Sequence, residues 1–163
     1  VIVDDIESAT EFYGRTLGFV QAHNARGIMD YPGVTRETFA RDAGFLDGKV
    51  NVDIRFLIHP TVGLYIELMK YHFPAGSKEI AFRNTNDLGG IRHVALEVSD
   101  AEQVFHYLKQ QPGVRMINES PQYGPPEELT PVTIKFFYWL DPWGVQWEME
   151  EGRPIGSLRG ISG

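Results

Sequence analysis

Two stretches of this chain occur twice, and the spacing of the copies limits the possible folds more than any other feature. Gly63-Leu64-Tyr65-Ile66-Glu67-Leu68-Met69 sets a glycine four residues ahead of a glutamate, and Gly144-Val145-Gln146-Trp147-Glu148 does the same. Val3-Asp4-Asp5-Ile6-Glu7 is echoed by Val98-Ser99-Asp100-Ala101-Glu102. The glycine–glutamate pairs stand 81 residues apart and the aspartate stretches 95 apart, so one module is used twice, with 14 extra residues inside the first copy.

Each copy reads strand, helix, strand, strand, strand. Asp5 and Asp100 are placed to cap helices, whose inward stripes are Ile6, Ala9, Phe12, Tyr13 and Leu17 in the first copy and Val104, Phe105 and Leu108 in the second. Gly18 stops the first helix. Phe19 to His23 and Val114 to Ile117 are short strands, and Asn51 to Ile58 and Val132 to Leu140 are longer ones. The extra residues fall at about 25–50, where Tyr31-Pro32-Gly33 predicts a turn and Thr35 to Ala43 one or two turns of helix. The expected division is a first module over 1–75, a linker over 76–91, a second module over 92–150 and a tail over 151–163. The fold class is α+β, with two βαβββ modules.

Composition sets the outer bounds. Of the 163 residues 42% are hydrophobic and 23% charged, as in a soluble globular protein. No apolar run reaches the roughly 18 residues of a membrane span. The absence of cysteine removes disulfides, thiolate ligands and a thiol nucleophile, and fits a cytoplasmic protein. A net charge of −7 argues against nucleic acid as a partner.

The last strand of each copy alternates. Val145, Trp147 and Met149 share one face and Gln146, Glu148 and Glu150 the other; Leu64, Ile66 and Leu68 oppose Tyr65, Glu67 and Met69. In Ile91 to Val98, His93, Ala95 and Glu97 share the face opposite Val94, Leu96 and Val98. A lone strand glutamate is ordinarily solvated and a lone histidine satisfied or exposed. His23, His59, His72 and His106 fall under that reading, and Lys70, Lys78, Arg83 and Arg92 read as solvated charges that could also meet an anionic substrate.

The combination of His93-x-x-x-x-Val98-x-Asp100, the helix after it, Asp141-Pro142-x-Gly144-x-x-x-Glu148, and the first copy's Gly63 and Glu67 resembles the vicinal oxygen chelate superfamily. That superfamily includes glyoxalase I, methylmalonyl-CoA epimerase, extradiol dioxygenases and bleomycin-resistance proteins. The resemblance implies a cup of curled sheet around a divalent metal, with Glu67, His93 and Glu148 as ligands and a fourth position falling ahead of Val1. Zn, Ni, Co, Mn and Fe(II) all suit an imidazole with two carboxylates. It further implies a lyase or isomerase whose substrate chelates the metal through neighbouring oxygens, with Glu148 or Glu67 as the base. The alternatives are a ring-cleaving dioxygenase and a non-catalytic antibiotic-binding protein. Glu97, Gln146, Tyr65, Met69, Phe137 and Trp139 are the expected cavity residues, and a homodimer is expected by analogy.

Overall fold

Both long helices begin at an aspartate whose carboxylate accepts a backbone N–H three residues on. Asp5 Oδ1 accepts from Ser8 at 2.8 Å and Asp100 Oδ1 from Gln103 at 2.9 Å. The computed structural model describes residues 1–79, 93–123 and 135–152, and divides into two units, Val1–Ile80 and Ala81–Gly163. The expectations for Arg83, Arg92, Ile91, the proline-rich residues 124–131, the start of the Val132 strand and most of the tail lie outside the described residues.

In the first unit, helix α1 (Ile6–Leu17) ends at Gly18, whose φ of 76° is the left-handed conformation that suits glycine. The strands are β1 (Val20–Gln21), β2 (His23–Asn24), β3 (Gly27–Ile28), β4 (Asp30–Val34), β5 (Asn51–Ile58) and β6 (Tyr65–Phe73), with helix α2 (Glu37–Asp42) between β4 and β5. Strand β5 is central. It pairs antiparallel with β1, β4 and β6. The start of the chain runs parallel along β6, where the Val3 N–H donates to the Met69 carbonyl at 2.9 Å.

The second unit repeats this frame. Strand β7 (His93–Glu97) lies parallel to β11 (Gln146–Glu151), which pairs antiparallel with β10 (Lys135–Leu140). Strands β8 (Arg115–Met116) and β9 (Gln122–Tyr123) also border β10, and helix α3 (Ala101–Lys109) follows β7. The Val98 N–H donates to the Glu150 carbonyl at 2.7 Å, the counterpart of the Val3–Met69 bond. The donors stand 95 residues apart and the acceptors 81, so the two sequence offsets reappear in one hydrogen bond. The architecture is mixed α+β with open sheets, and no closed barrel forms among the described residues. No described helix is long and apolar enough to cross a membrane.

One expectation for the insertion changes. Tyr31-Pro32-Gly33 belongs to strand β4, not to a turn. Gly33 takes a φ of 63° and the register with β5 shifts between Tyr31 and Val34, so a bulge absorbs what reads as a turn signal. The Gly33 N–H donates to Asp53 Oδ1 at 2.8 Å, which fixes the bulge to β5.

Register defines two faces of the β5–β6 pair. Leu57, Arg55, Ile66 and Leu68 lie toward α1, and Phe56, Ile54, Glu67 and Met69 lie on the other side. On the α1 side Leu57 and Leu68 are fully buried, each worth about 1.5–3 kcal/mol relative to exposure. Arg55, whose side chain is 11% exposed, ties three elements together. It donates twice to Glu7 of α1 (2.9 and 2.7 Å), once to Thr10 of α1 (3.1 Å) and once to Asp30 of β4 (2.8 Å). On the other side α2 and its flanks cover part of the sheet. Ala40 is fully buried against Val50, Val52 and Ile54, with Phe39, Phe45, Met69 and Tyr71 packed around them.

Hydrogen bonding from Arg55 holds the Glu7 carboxyl below its ordinary value of 4.5. A carboxyl with a depressed folded-state pKa contributes stability that is present above the unfolded value and is lost as the pH falls through the folded one. Arg55→Leu is expected to lower unfolding free energy by about 1–3 kcal/mol at pH 7. It should also flatten the loss of stability between roughly pH 5 and pH 3, both read from urea denaturation across pH.

Candidate functional site

The site is set by a turn. Asp141 is 5% exposed, and its Oδ1 accepts the N–H groups of Trp143 (3.0 Å) and Val145 (2.9 Å), while its Oδ2 accepts the Trp147 indole N–H at 3.1 Å. The Gly144 N–H donates to the Asp141 carbonyl at 3.2 Å, with Gly144 at a φ of 82°. This short connection locks β11 against β10 and commits Trp147 to one face. Trp147 stacks on Trp139, with ring centroids 5.9 Å apart, and Phe137 meets Phe105 of α3 edge-on at 5.2 Å. That face is the core.

Every second residue of β11 therefore turns the other way. Gln146, Glu148 and Glu150 are 6%, 5% and 9% exposed, so the polar face of this strand is buried as well. On β7 the register sets His93 beside Gln146, Ala95 beside Glu148 and Glu97 beside Glu150. On β10 it sets Tyr138 beside Glu148 and Phe136 beside Glu150. His93 and Glu148 are diagonal neighbours on this face and meet, Nε2 to Oε2 at 2.9 Å. The His93 ring lies edge-on to Tyr138, with centroids 5.3 Å apart, and its buried Nδ1 has no hydrogen-bond partner among the described residues.

The structure thus brings His93 and Glu148 together, with Gln146 and Glu97 on the same face. Phe137 and Trp139 are corrected. Both are fully buried on the opposite face against α3 and Trp147, and Phe136 and Tyr138 hold the positions beside Glu150 and Glu148. In the first unit Glu67 is exposed on β6, facing the same way as Tyr65 and Met69, with Phe56 beside it in register. Tyr65 is half exposed, while Met69 packs into the cluster under α2. Burial raises the pKa of Tyr71, two steps farther along that face, and the charge of Glu67 adds to the shift. Lys70 lies 3.6 Å from Asp5, and His72 pairs with Asp53 at 2.8 Å, so neither stands alone.

No group of three or more His, Asp or Glu side chains able to hold a metal ion is assembled among the described residues. The His93–Glu148 pair is nevertheless a fitting half of such a site. An imidazole nitrogen and a carboxylate oxygen converge on one spot, and the carboxylate is too buried to rely on water for its charge.

These features meet in one family. A model of the Glyoxalase/Bleomycin resistance protein/Dioxygenase superfamily matches residues 1–132, and the chain belongs to that superfamily. It is 31% identical over 153 residues to a 2-epi-5-epi-valiolone epimerase from Actinomyces sp, covering 90% of this chain and 73% of that protein. Among solved structures it is similar to a glyoxalase family protein from Bacillus cereus, with a TM-score of 0.70 at 20% identity over 93% of this chain and 89% of that one. A glyoxylase/bleomycin resistance protein/dioxygenase domain from Frankia sp. EAN1pec has a TM-score of 0.60 at 16% identity, over 93% and 92% of the two chains. At such identities the structural likeness speaks for the fold alone.

Asp141→Ala removes three hydrogen bonds from a buried turn. It is expected to cost roughly 2–4 kcal/mol. The tryptophan fluorescence should also change, because the Trp147 indole loses its acceptor; thermal unfolding followed by emission reads both.

Proposed function

We propose that this protein is an epimerase that acts on a carbon beside a carbonyl and carries a hydroxyl there. The observation that supports this most is the buried Glu148 carboxylate, held by His93 at 2.9 Å on the sheet face turned away from the helix. The 31% identity to an epimerase supports the reaction class. In this reading Glu148 takes the proton from that carbon. The C–H bond breaks, an O–H bond forms on the carboxylate, and the electron pair moves toward the carbonyl oxygen. A proton drawn from solvent then adds to the other face, the electron pair returns from the oxygen to form the new C–H bond, and Glu148 releases its proton to solvent, so the centre is inverted. Glu67 is the equivalent carboxylate of the first unit, and we assign it the same chemistry.

His93 orients Glu148 in the proton-accepting state. Burial of the carboxylate keeps competing water away and strengthens its interaction with charge that develops on the substrate. A divalent ion (Zn, Ni, Co, Mn or Fe(II)) held by His93, Glu148 and Glu67 would supply Lewis-acid stabilisation of that charge. The same reading includes the module boundaries set out above, a homodimeric assembly and a cytoplasmic location, with light scattering as the check on the dimer.

The test is solvent exchange. The protein with 2-epi-5-epi-valiolone in D2O is expected to yield a second epimer carrying deuterium at the inverted carbon, followed by NMR. Glu148→Gln should slow this by roughly 10²–10⁴-fold while leaving thermal stability unchanged or higher, because a buried charge is removed. Dialysis against a chelator should suppress exchange, and one of the five ions should restore it. Absence of deuterium incorporation with every ion would reject the epimerase.

A further inference from the structure

The His93 ring is met by a side chain from two strands away. His93 stands on β7 and Tyr138 on β10, the strands on either side of β11. Two sheet spacings separate such strands, roughly 9.5 Å. The ring centroids are nevertheless 5.3 Å apart, with the planes at 67°. Both side chains therefore lean across β11 and meet beside Glu148, the register partner of Tyr138. In that position the His93 Nε2 lies 2.9 Å from Glu148 Oε2.

The other ring nitrogen makes this arrangement costly. His93 Nδ1 is buried and has no hydrogen-bond partner among the described residues. A histidine that works through one nitrogen is ordinarily fixed by a hydrogen bond at the other. Among the described residues β7 is the outer strand of its sheet, and the His93 side chain is 34% exposed. A swing toward water would satisfy Nδ1 and break the Nε2 contact. Tyr138 stands against that swing, and its own backbone is pinned at both groups. Its N–H donates to Asn118 Oδ1 at 2.6 Å, and its carbonyl accepts the Ile117 N–H at 2.9 Å. Its ring also meets Phe136 edge-on, with centroids 5.8 Å apart. The corresponding place in the first unit, beside Glu67, holds Phe56, a ring without the hydroxyl. We propose that Tyr138 is a positioning residue: its ring, in place of a hydrogen bond to Nδ1, keeps the His93 imidazole turned inward with Nε2 on Glu148. The inference deepens the proposed function and rests on its reading of His93 and Glu148 as the working pair.

The full chain, free of metal and carrying isotope-labelled histidine, is studied by NMR, with the His93 signals assigned by their loss in His93→Gln. Wild type should show nuclear Overhauser contacts between the His93 and Tyr138 rings. Tyr138→Leu should abolish the ring-current shifts of the His93 ring protons and weaken Co(II) binding, measured by calorimetry, about tenfold. Tyr138→Phe keeps the ring and should retain both. The stacked Trp139–Trp147 pair should give the same near-UV circular dichroism in every variant, which separates a loosened His93 from a damaged core. Absence of the ring contact in wild type, His93 shifts and Co(II) affinity unchanged in Tyr138→Leu, or a Tyr138→Phe protein as weak as Tyr138→Leu would overturn the proposal. If Tyr138→Leu does not fold, the wild-type contact and Tyr138→Phe still decide. Failure of the epimerase reading looks different. The ring contact and the His93 shifts as expected, with no deuterium exchange or no Co(II) binding in wild type, would reject that reading and leave Tyr138 in its role. Exchange without the ring contact would reject the role of Tyr138 alone.

Discussion

The Asp141 carboxylate is the interaction on which the second unit depends. One buried side chain accepts two backbone N–H groups and an indole N–H, and so closes the turn and fixes the phase of the strand that leaves it. In a strand, phase is all that separates a core residue from a functional one. With Trp147 held in the core, Glu148 has to face the other way, toward His93. A charge inside the protein therefore serves here as a geometric reference for a second charge. The three accepted hydrogen bonds offset the cost of burying Asp141.

Much of this was legible in the sequence, and for identifiable reasons. The aspartate caps, the glycine ahead of each glutamate and the two offsets all depend on local chemistry, and they reappear as matched hydrogen bonds at Val3–Met69 and Val98–Glu150. The alternation of β11 was readable because Gln146, Glu148 and Glu150 interrupt an apolar series. Strand β10 was not. Phe136, Phe137, Tyr138, Trp139 and Leu140 carry no polar alternation, so the sequence has no phase to read, and Phe137 and Trp139, expected at the cavity, lie in the core. The available signal was the length of the Asp141 turn, which carries the phase of β11 back across the hairpin to β10. In the insertion Pro32-Gly33 reads as a turn, and only the pairing with β5 reveals a bulged strand.

The matched frames carry different surfaces. Where the second unit has Glu97, Gln146, Glu150 and Tyr138 around Glu148, the equivalent positions of the first have Ile2, Tyr65, Met69 and Phe56 around Glu67. Backbone geometry has been conserved between the copies, since it follows from caps, turns and core. The outward faces have been free to diverge, because each side chain there is coupled to the fold only through its own neighbours. One copy is polar about its glutamate and the other largely apolar.

Helix α2 makes that divergence hard to reverse. Ala40, Phe39 and Phe45 have been built into the face of the first unit, and Val52, Ile54 and Tyr71 now need them as cover. The copies have ceased to be exchangeable parts. A recombination that replaced residues 1–75 with a second set of residues 92–150 would keep every strand and helix of the frame, yet it would discard the helix and the apolar residues beneath it together. A recombination confined to β5 and β6 would leave α2 packed against the wrong surface. For this chain, the insertion acts as a lock on gene conversion between its own halves.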